Sequence, residues 1–336
     1  MTSRPLHIVM TPTRNEAWVI RAFMESTTRW ADYIIICDQM STDGTREIVQ
    51  EYAQQSKHAR VIFIDNSNPD FNEAERQAML IEKARETAAG RDALLWGLDA
   101  DEMLSANAFE TEDWQRILHS KPGAVFWFKW VFLTYDKKHY FNHDHSYPWL
   151  FHDDGKEPHK NYVREMHSMR IPFPLDERDM SYVEDFRVLH LGAAPLNRVR
   201  AKERFYMFVD WQKTLHSPLK IARFYLGCNT YPKELLDLPQ KWIYTQAKDG
   251  WDMWSNVELD ETHCWMDDYI YERLDKYPMR ELIKLPIWTP EFLEHYHLDD
   301  PRPFKWRLIH RYLQATQARN NTFLIRATDK VLSLCA

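Results

Sequence analysis

The sequence predicts an α/β fold, a doubly wound and mostly parallel sheet extended by a C-terminal, mainly helical appendage. Three observations lead there. Short apolar runs alternate with amphipathic segments through the first hundred residues; the polar ends of those runs carry Thr11, Asp38, Asp65 and Asp99; and beyond about Ser217 helical fragments rich in Trp and Tyr are separated by prolines. "HIVMTP" (7–12) reads as a strand and "EAWVIRAFMESTTRW" (16–30) as a helix, followed by the strand "YIIICD" (33–38) and the helix "TREIVQEYAQQ" (45–55). "RVIFID" (60–65) is a third strand, "NEAERQAMLIEKARETA" (72–88) a third helix and "ALLWGLD" (93–99) a fourth strand. After residue 120 the runs become longer and aromatic, with strands expected at "AVFWFKWVFLTY", "YPWLFH" and "FRVLHL" and a helix at "PLNRVRAKERFYMFVDWQ". The expected organisation is a first domain over 1–215, in two parts (1–104 and 105–215), and a helical region over 216–336.

Composition narrows the function. At 336 residues and 44% hydrophobic, the chain can fill a large core, and its formal net charge of −7 gives no general pull toward nucleic acid. Cys37, Cys228, Cys264 and Cys335 lie far apart without a CxxC pair, which fits a reducing cytoplasm better than a disulfide framework or a zinc site. No apolar run approaches the ~20 residues that span a bilayer, and no signal-peptide pattern opens the chain, so a cytoplasmic protein is expected. The stretch from Pro301 to Lys330 is basic and aromatic. Such a segment can lie on the anionic inner face of a membrane or pack on the first domain with its charges in water.

Chemistry concentrates in "ALLWGLDADEML" (93–104), where a buried strand runs into Asp99, Asp101 and Glu102. Crowded carboxylates repel unless a divalent cation turns repulsion into ligation, or unless they sit at the positive end of a helix. "STDGT" is by itself a turn with Thr45 capping the next helix. The histidine-rich "HYFNHDHSYPWLFHDDG" has no ligand spacing of a helical metal motif.

Taken together, "TPTRNEAWVI", "IIICDQMSTDGTREI", "NEAERQAML" and "LLWGLDADEML" resemble the family 2 glycosyltransferases of the GT-A fold, over roughly residues 6 to 210. The resemblance implies that the Asp-x-Asp carboxylates hold Mn²⁺ or Mg²⁺, which bridges the diphosphate of a nucleoside-diphosphate sugar. It places Asp101 on the metal and Asp99 on the ribose or a metal-held water. Asp38 would meet the base or ribose, Thr11 and Glu16 would line the same pocket, and Arg76 would approach the diphosphate. His190 would stand near the metal or diphosphate, with Arg198 and Lys202 close to the leaving group. The implied reaction is an inverting transfer to a hydroxyl of a glycan or glycolipid, with UDP-sugars the commonest donors in the family.

Inversion needs a base on the acceptor side. Relatives often carry a His-Glu pair where this chain has His167 followed by Ser168. Glu165, Asp185 and His167 are therefore the candidates. Two other classes use similar residues: a metal-dependent phosphohydrolase or nuclease, which would need more acids and a basic groove, and a nucleotide- or sugar-binding module with a degenerate site.

Overall fold

In the computed structural model, strand β1 (Leu6–Thr13) opens the chain and is followed by α1 (Ala17–Thr27), β2 (Tyr33–Asp38), α2 (Thr45–Gln55), β3 (Arg60–Asp65), α3 (Glu73–Ala88) and β4 (Ala93–Gly97). The residues described are 4–158, 166–173, 180–192, 195–214, 216–226, 234–244, 252–259, 264–320 and 322–335. Next come β5 (Glu102–Leu104), α4 (Glu112–Leu118), β6 (Val125–Leu133), β7 (His139–His152) and β8 (Met180–His190). The remaining elements are α5 (Leu196–Lys213), α6 (Pro218–Tyr225), β9 (Leu236–Asp237), α7 (Trp265–Tyr271), α8 (Met279–Leu282), α9 (Pro290–His295), α10 (Phe304–Thr316) and α11 (Phe323–Cys335).

Among the described residues the strands form one sheet in the order β3-β2-β1-β4-β7-β6-β8-β5, with β9 paired to β7. The expected α/β class is present. The first four strands are parallel, as their unbroken apolar runs demand, because helices cover both faces. Local signals set the helix ends: Asn72 caps α3 by accepting from the Glu75 N–H, Glu73 and Glu75 sit in its first turn and Arg85 in its last. Beyond β4 the sheet is mixed, since β7 pairs antiparallel with both β4 and β6 while β6 and β8 run parallel.

Several elements differ from the sequence expectation, β8 among them, which starts at Met180, six residues before "FRVLHL". β7 starts eight residues before "YPWLFH", because ladder pairing with β6 continues through the polar run and binds Phe141 opposite Phe132 and Tyr140 opposite Leu133. The acidic stretch after β4 is neither strand end nor helix start but a turn. It leads into β5, which pairs antiparallel with β8 and sets Glu102 opposite His190.

The chain divides into two compact units, Met1–Ala194 with Lys233–Asp260, and Pro195–Pro232 with Glu261–Ala336. The expected boundary at 215/216 thus falls after α5, whereas α5 belongs wholly to the second unit. Phe205 of α5 packs on Trp265 and Tyr269, and Arg204 forms a buried pair with Asp267 at 2.6 Å. Residues around Trp242, Ile243, Met253 and Val257 return to the first unit, against Met103, Val131, Leu189 and Leu191.

At the foot of the sheet His7 is buried between aromatic rings, 5.0 Å from Trp114, and accepts from the Trp96 indole N–H at 3.1 Å. Burial, reinforced by Arg4, lowers its pKa to about 4, so it is neutral in the fold and protonates readily only when unfolded. The unfolded chain then binds more protons than the folded one between pH 6.5 and 4. Stability should be full above about pH 6.5 and fall by up to ~3 kcal/mol by pH 4 from this residue alone. Urea titrations across that range should show the loss, and His7→Phe should flatten it while costing stability at pH 7.5 through the orphaned Trp96 donor.

Candidate active site

Polar side chains gather at the carboxyl ends of the parallel strands, where α/β sheets bind ligands. The loops after β1 and β2 clasp one another. The Asn15 N–H donates to Ser41 Oγ, the Thr42 N–H to Asn15 Oδ1, the Glu16 N–H to Thr45 Oγ1 and the Ala17 N–H to Asp43 Oδ2, all at 2.8–2.9 Å. Thr45 does not cap α2 as expected: it is the helix's first residue, behind Gly44, which has no side chain to cap with, and its hydroxyl turns to the first loop instead. The turn holds the first loop in place.

Asp38 is fully buried, accepting from Thr13 Oγ1 at 2.9 Å, from Ser41 Oγ and N–H at 2.5 and 3.1 Å, and from Arg46 at 3.2 Å. Facing a nucleotide, the role expected of it, would require exchanging these partners. As placed, Asp38 organises the two loops, and Arg46, which also reaches Asp65 at 2.9 Å, is the cation at this edge. Thr11 is likewise fully buried one strand repeat below Thr13, its hydroxyl without a partner among the described residues. Glu16 precedes α1 and accepts from the Trp18 indole at 2.7 Å. Arg76 lies buried on α3, its guanidinium 4.8 Å from the Phe71 ring centre and 3.5 Å from Gln39 Oε1. Its Nε has no hydrogen-bond partner among the described residues.

The carboxylates of the acidic turn have separate fates. Glu102 is completely buried and accepts from the Asp99 N–H at 3.0 Å, the Trp149 indole at 2.9 Å and Arg170 at 2.9 and 3.0 Å. Arg170 also pairs with Asp99 and lies between the Trp130 and Trp149 rings at 5.8 and 5.7 Å. Burial pushes the Glu102 carboxyl up, partly offset by Arg170; burial works against the Arg170 charge too, but Asp99 and Glu102 outweigh it and keep the guanidinium protonated. The cation that neutralises two of the three acids is thus a side chain that the sequence reading passed over.

Asp101 lies beside His190. Its Oδ2 stands 3.3 Å from His190 Nε2, while its carbonyl accepts from the Leu191 N–H at 2.8 Å and locks the turn to the end of β8. His190 Nδ1 is buried without a hydrogen-bond partner among the described residues. A Cβ on Gly192 would press on Asp101 Oδ2 and come within 2.8 Å of His190 Nε2, so only glycine leaves the two groups open to each other. Trp130 and Phe132 flank the His190 ring at 4.8 and 4.6 Å, and His143 lies beyond on Phe132. Among the described residues no three His, Cys, Asp or Glu side chains cluster as a complete metal cage. His139 and His152 are instead bound to Asp136 and Asp92, each at 2.6 Å.

The remaining candidates separate. Asp185 accepts from the Asp113 N–H at 3.2 Å at the start of α4, and five residues of extended β8 put it roughly 15 Å from His190. The structure does not bring it to the acidic turn, because its carboxylate serves the helix end. His167 is exposed with φ of 58°, and the next residue's N–H donates to Glu73 at 2.9 Å. Glu165 lies outside the described residues. Arg198 and Lys202 are on α5 in the second unit, Arg198 3.9 Å from Cys264 Sγ and Lys202 6.0 Å from the Tyr206 ring centre.

Residues 8–111 match the model of glycosyl transferase family 2. The match spans less than a third of the chain. The chain is also similar to a glucosyl-3-phosphoglycerate synthase from Mycobacterium tuberculosis, solved with phosphoglyceric acid, at 19% identity over 39% of this chain and 44% of that one, with a TM-score of 0.27. It thus spans less than half of that synthase. A mannosyltransferase from Pyrobaculum calidifontis, solved with GDP-Man and Mn²⁺, aligns over 96% of this chain and 88% of its own at 12% identity and a TM-score of 0.36. None of the curated proteins matches. The family match covers β1 through the acidic turn to the start of α4, the stretch that builds the loop clasp and supplies Asp101, whereas His190 and Gly192 lie outside it.

Proposed function

We propose that the protein is an inverting, metal-dependent glycosyltransferase that moves a sugar from a nucleoside-diphosphate donor, a UDP-sugar being favoured, to a hydroxyl of a glycan or glycolipid. The juxtaposition of Asp101 and His190 beside Gly192 carries this reading. Two ligand atoms bound side by side to one octahedral cation at ~2.1 Å are about 3 Å apart, close to the 3.3 Å between Asp101 Oδ2 and His190 Nε2. An imidazole partner suits Mn²⁺ better than the oxygen-seeking Mg²⁺. Bound there, the cation would neutralise charge on the departing diphosphate, with phosphate oxygens and water filling its other positions.

The other residues divide the work. Arg170 holds Asp99 and Glu102, and Asp101, beside His190, would ligate the cation. Trp130 and Phe132 offer the apolar faces on which a sugar ring can stack. Asp38, Ser41 and Arg46 fix the loops that would receive the nucleotide, and Arg76 lies beneath them. Glu165 is the acceptor base in this reading, with His167 the alternative, since Asp185 is engaged elsewhere.

A thermal-shift screen of nucleotide-sugars with and without Mn²⁺ tests the proposal. A ligand at 100 times its Kd stabilises the fold by roughly 2.7 kcal/mol, enough to raise Tm by a few degrees. One nucleotide class should respond, and only with the metal. Equal shifts without Mn²⁺, or none from any nucleotide-sugar, would sink the reading.

A further inference from the structure

We propose that the outer face of α11, together with the start of α10, docks the protein on an anionic lipid surface. The helix α11 is apolar on two sides. Inward, Leu332 packs against the cluster of Leu219, Ala222, Trp306, Ile309 and Leu313, and Asp329 pairs with Arg223 of α6 at 2.8 Å. Outward, Phe323, Leu324 and Val331 are 88, 75 and 60% exposed. With exposed Ala327 between them, these positions share one helical face. A face of large apolar side chains left in water marks a surface that something covers.

Charge decides what covers it. Exposed Arg326 and Lys330 flank the outward face of α11, and exposed Lys305, Arg307 and Arg311 accompany exposed Phe304 and Leu308 on α10. From residue 303 to 335 six Lys and Arg stand against a single acid, Asp329, in a chain whose net charge is −7. That acid is already bound to Arg223. Apolar side chains edged by basic ones match the boundary between acyl chains and anionic headgroups, into which such a helix sinks lengthwise. A second copy of the chain fits worse, because a twofold pairing through this face would set its cations against their own duplicates. No helix among the described residues is long and apolar enough to cross a membrane. Contact is therefore in the plane of the surface.

The inference does not depend on the transfer reaction, and its test keeps the two apart. The full chain is sedimented with phosphatidylcholine vesicles and with vesicles containing phosphatidylglycerol, at low and high salt. Partitioning should be at least tenfold stronger onto the anionic vesicles and fall with salt. The triple substitution Phe323→Ser, Leu324→Ser, Val331→Ser and the double substitution Arg326→Glu, Lys330→Glu should each lower it at least tenfold, with unchanged Tm and unchanged donor-induced stabilisation. Equal binding to neutral vesicles, no binding by the parent, or parental binding by both variants overturns the proposal. So does a dimer, seen by light scattering, that the triple substitution dissolves while vesicle binding is absent.

Discussion

Asp101→Asn should reduce sugar transfer by at least ~10³-fold while the protein remains folded. Loss of one ligating charge removes several kcal/mol of transition-state stabilisation, and each ~1.4 kcal/mol is a factor of ten. The fold should tolerate the change because Asn keeps the shape, and the Leu191 N–H bond that locks the turn is made to the backbone carbonyl, not the side chain. Stability at neutral pH should therefore move by less than about 1 kcal/mol. Gly192→Ala tests the same corner without altering charge. Its new Cβ would force Asp101 and His190 apart, so Mn²⁺ affinity should fall about tenfold or more while the donor's nucleotide half still binds. Full transfer by Asp101→Asn, or activity indifferent to a chelator, would remove the metal from the mechanism.

The parallel half of the sheet was legible because its strands are buried on both faces and its helices carry clear ends, as with Asn72, Glu73 and Glu75. The acidic turn was legible as chemistry but not as geometry. Nothing local to Asp99, Asp101 and Glu102 reveals that two of them are taken by an arginine some seventy residues on, since an ion pair across that separation leaves no periodic mark. Two glycines did carry a mark. Gly97 interrupts an apolar strand, where a glycine commonly signals close backbone approach, and a Cβ there would come within 2.6 Å of Arg170 Cβ. Gly192 follows His190 and leaves room for the Asp101 pair. Asp38 illustrates the opposite case. Its place at a strand end looked open to a ligand, yet Thr13, Ser41 and Arg46 enclose it. A strand-end acid is a ligand group only when its neighbours leave it acceptor capacity.

Arg170→Met should destabilise the first unit by about 3 kcal/mol, because it strands a fully buried carboxylate whose neighbouring charge is gone. Trp149 and the Asp99 N–H would still donate to Glu102, so the loss stays short of unfolding. Three comparisons separate lost charge from lost packing between Trp130 and Trp149. Arg170→Lys should recover only part of the stability, since an ammonium lacks the planar fork that reaches Asp99 and Glu102 together. Adding Glu102→Gln to Arg170→Met should restore some of what the single change costs, as the unpaired charge is then absent. The pH dependence supplies the third. Without the guanidinium, burial drives the Glu102 carboxyl further above its unfolded value, so the folded state binds the extra proton first. The stability deficit of Arg170→Met should then shrink as pH falls through that raised pKa toward the unfolded value near 4.3, measured against the parent's own acid-side loss in the same urea titrations. A deficit constant with pH, and undiminished by Glu102→Gln, would mean that Arg170 is held for its stacking alone and that the acidic turn needs no cation from the chain.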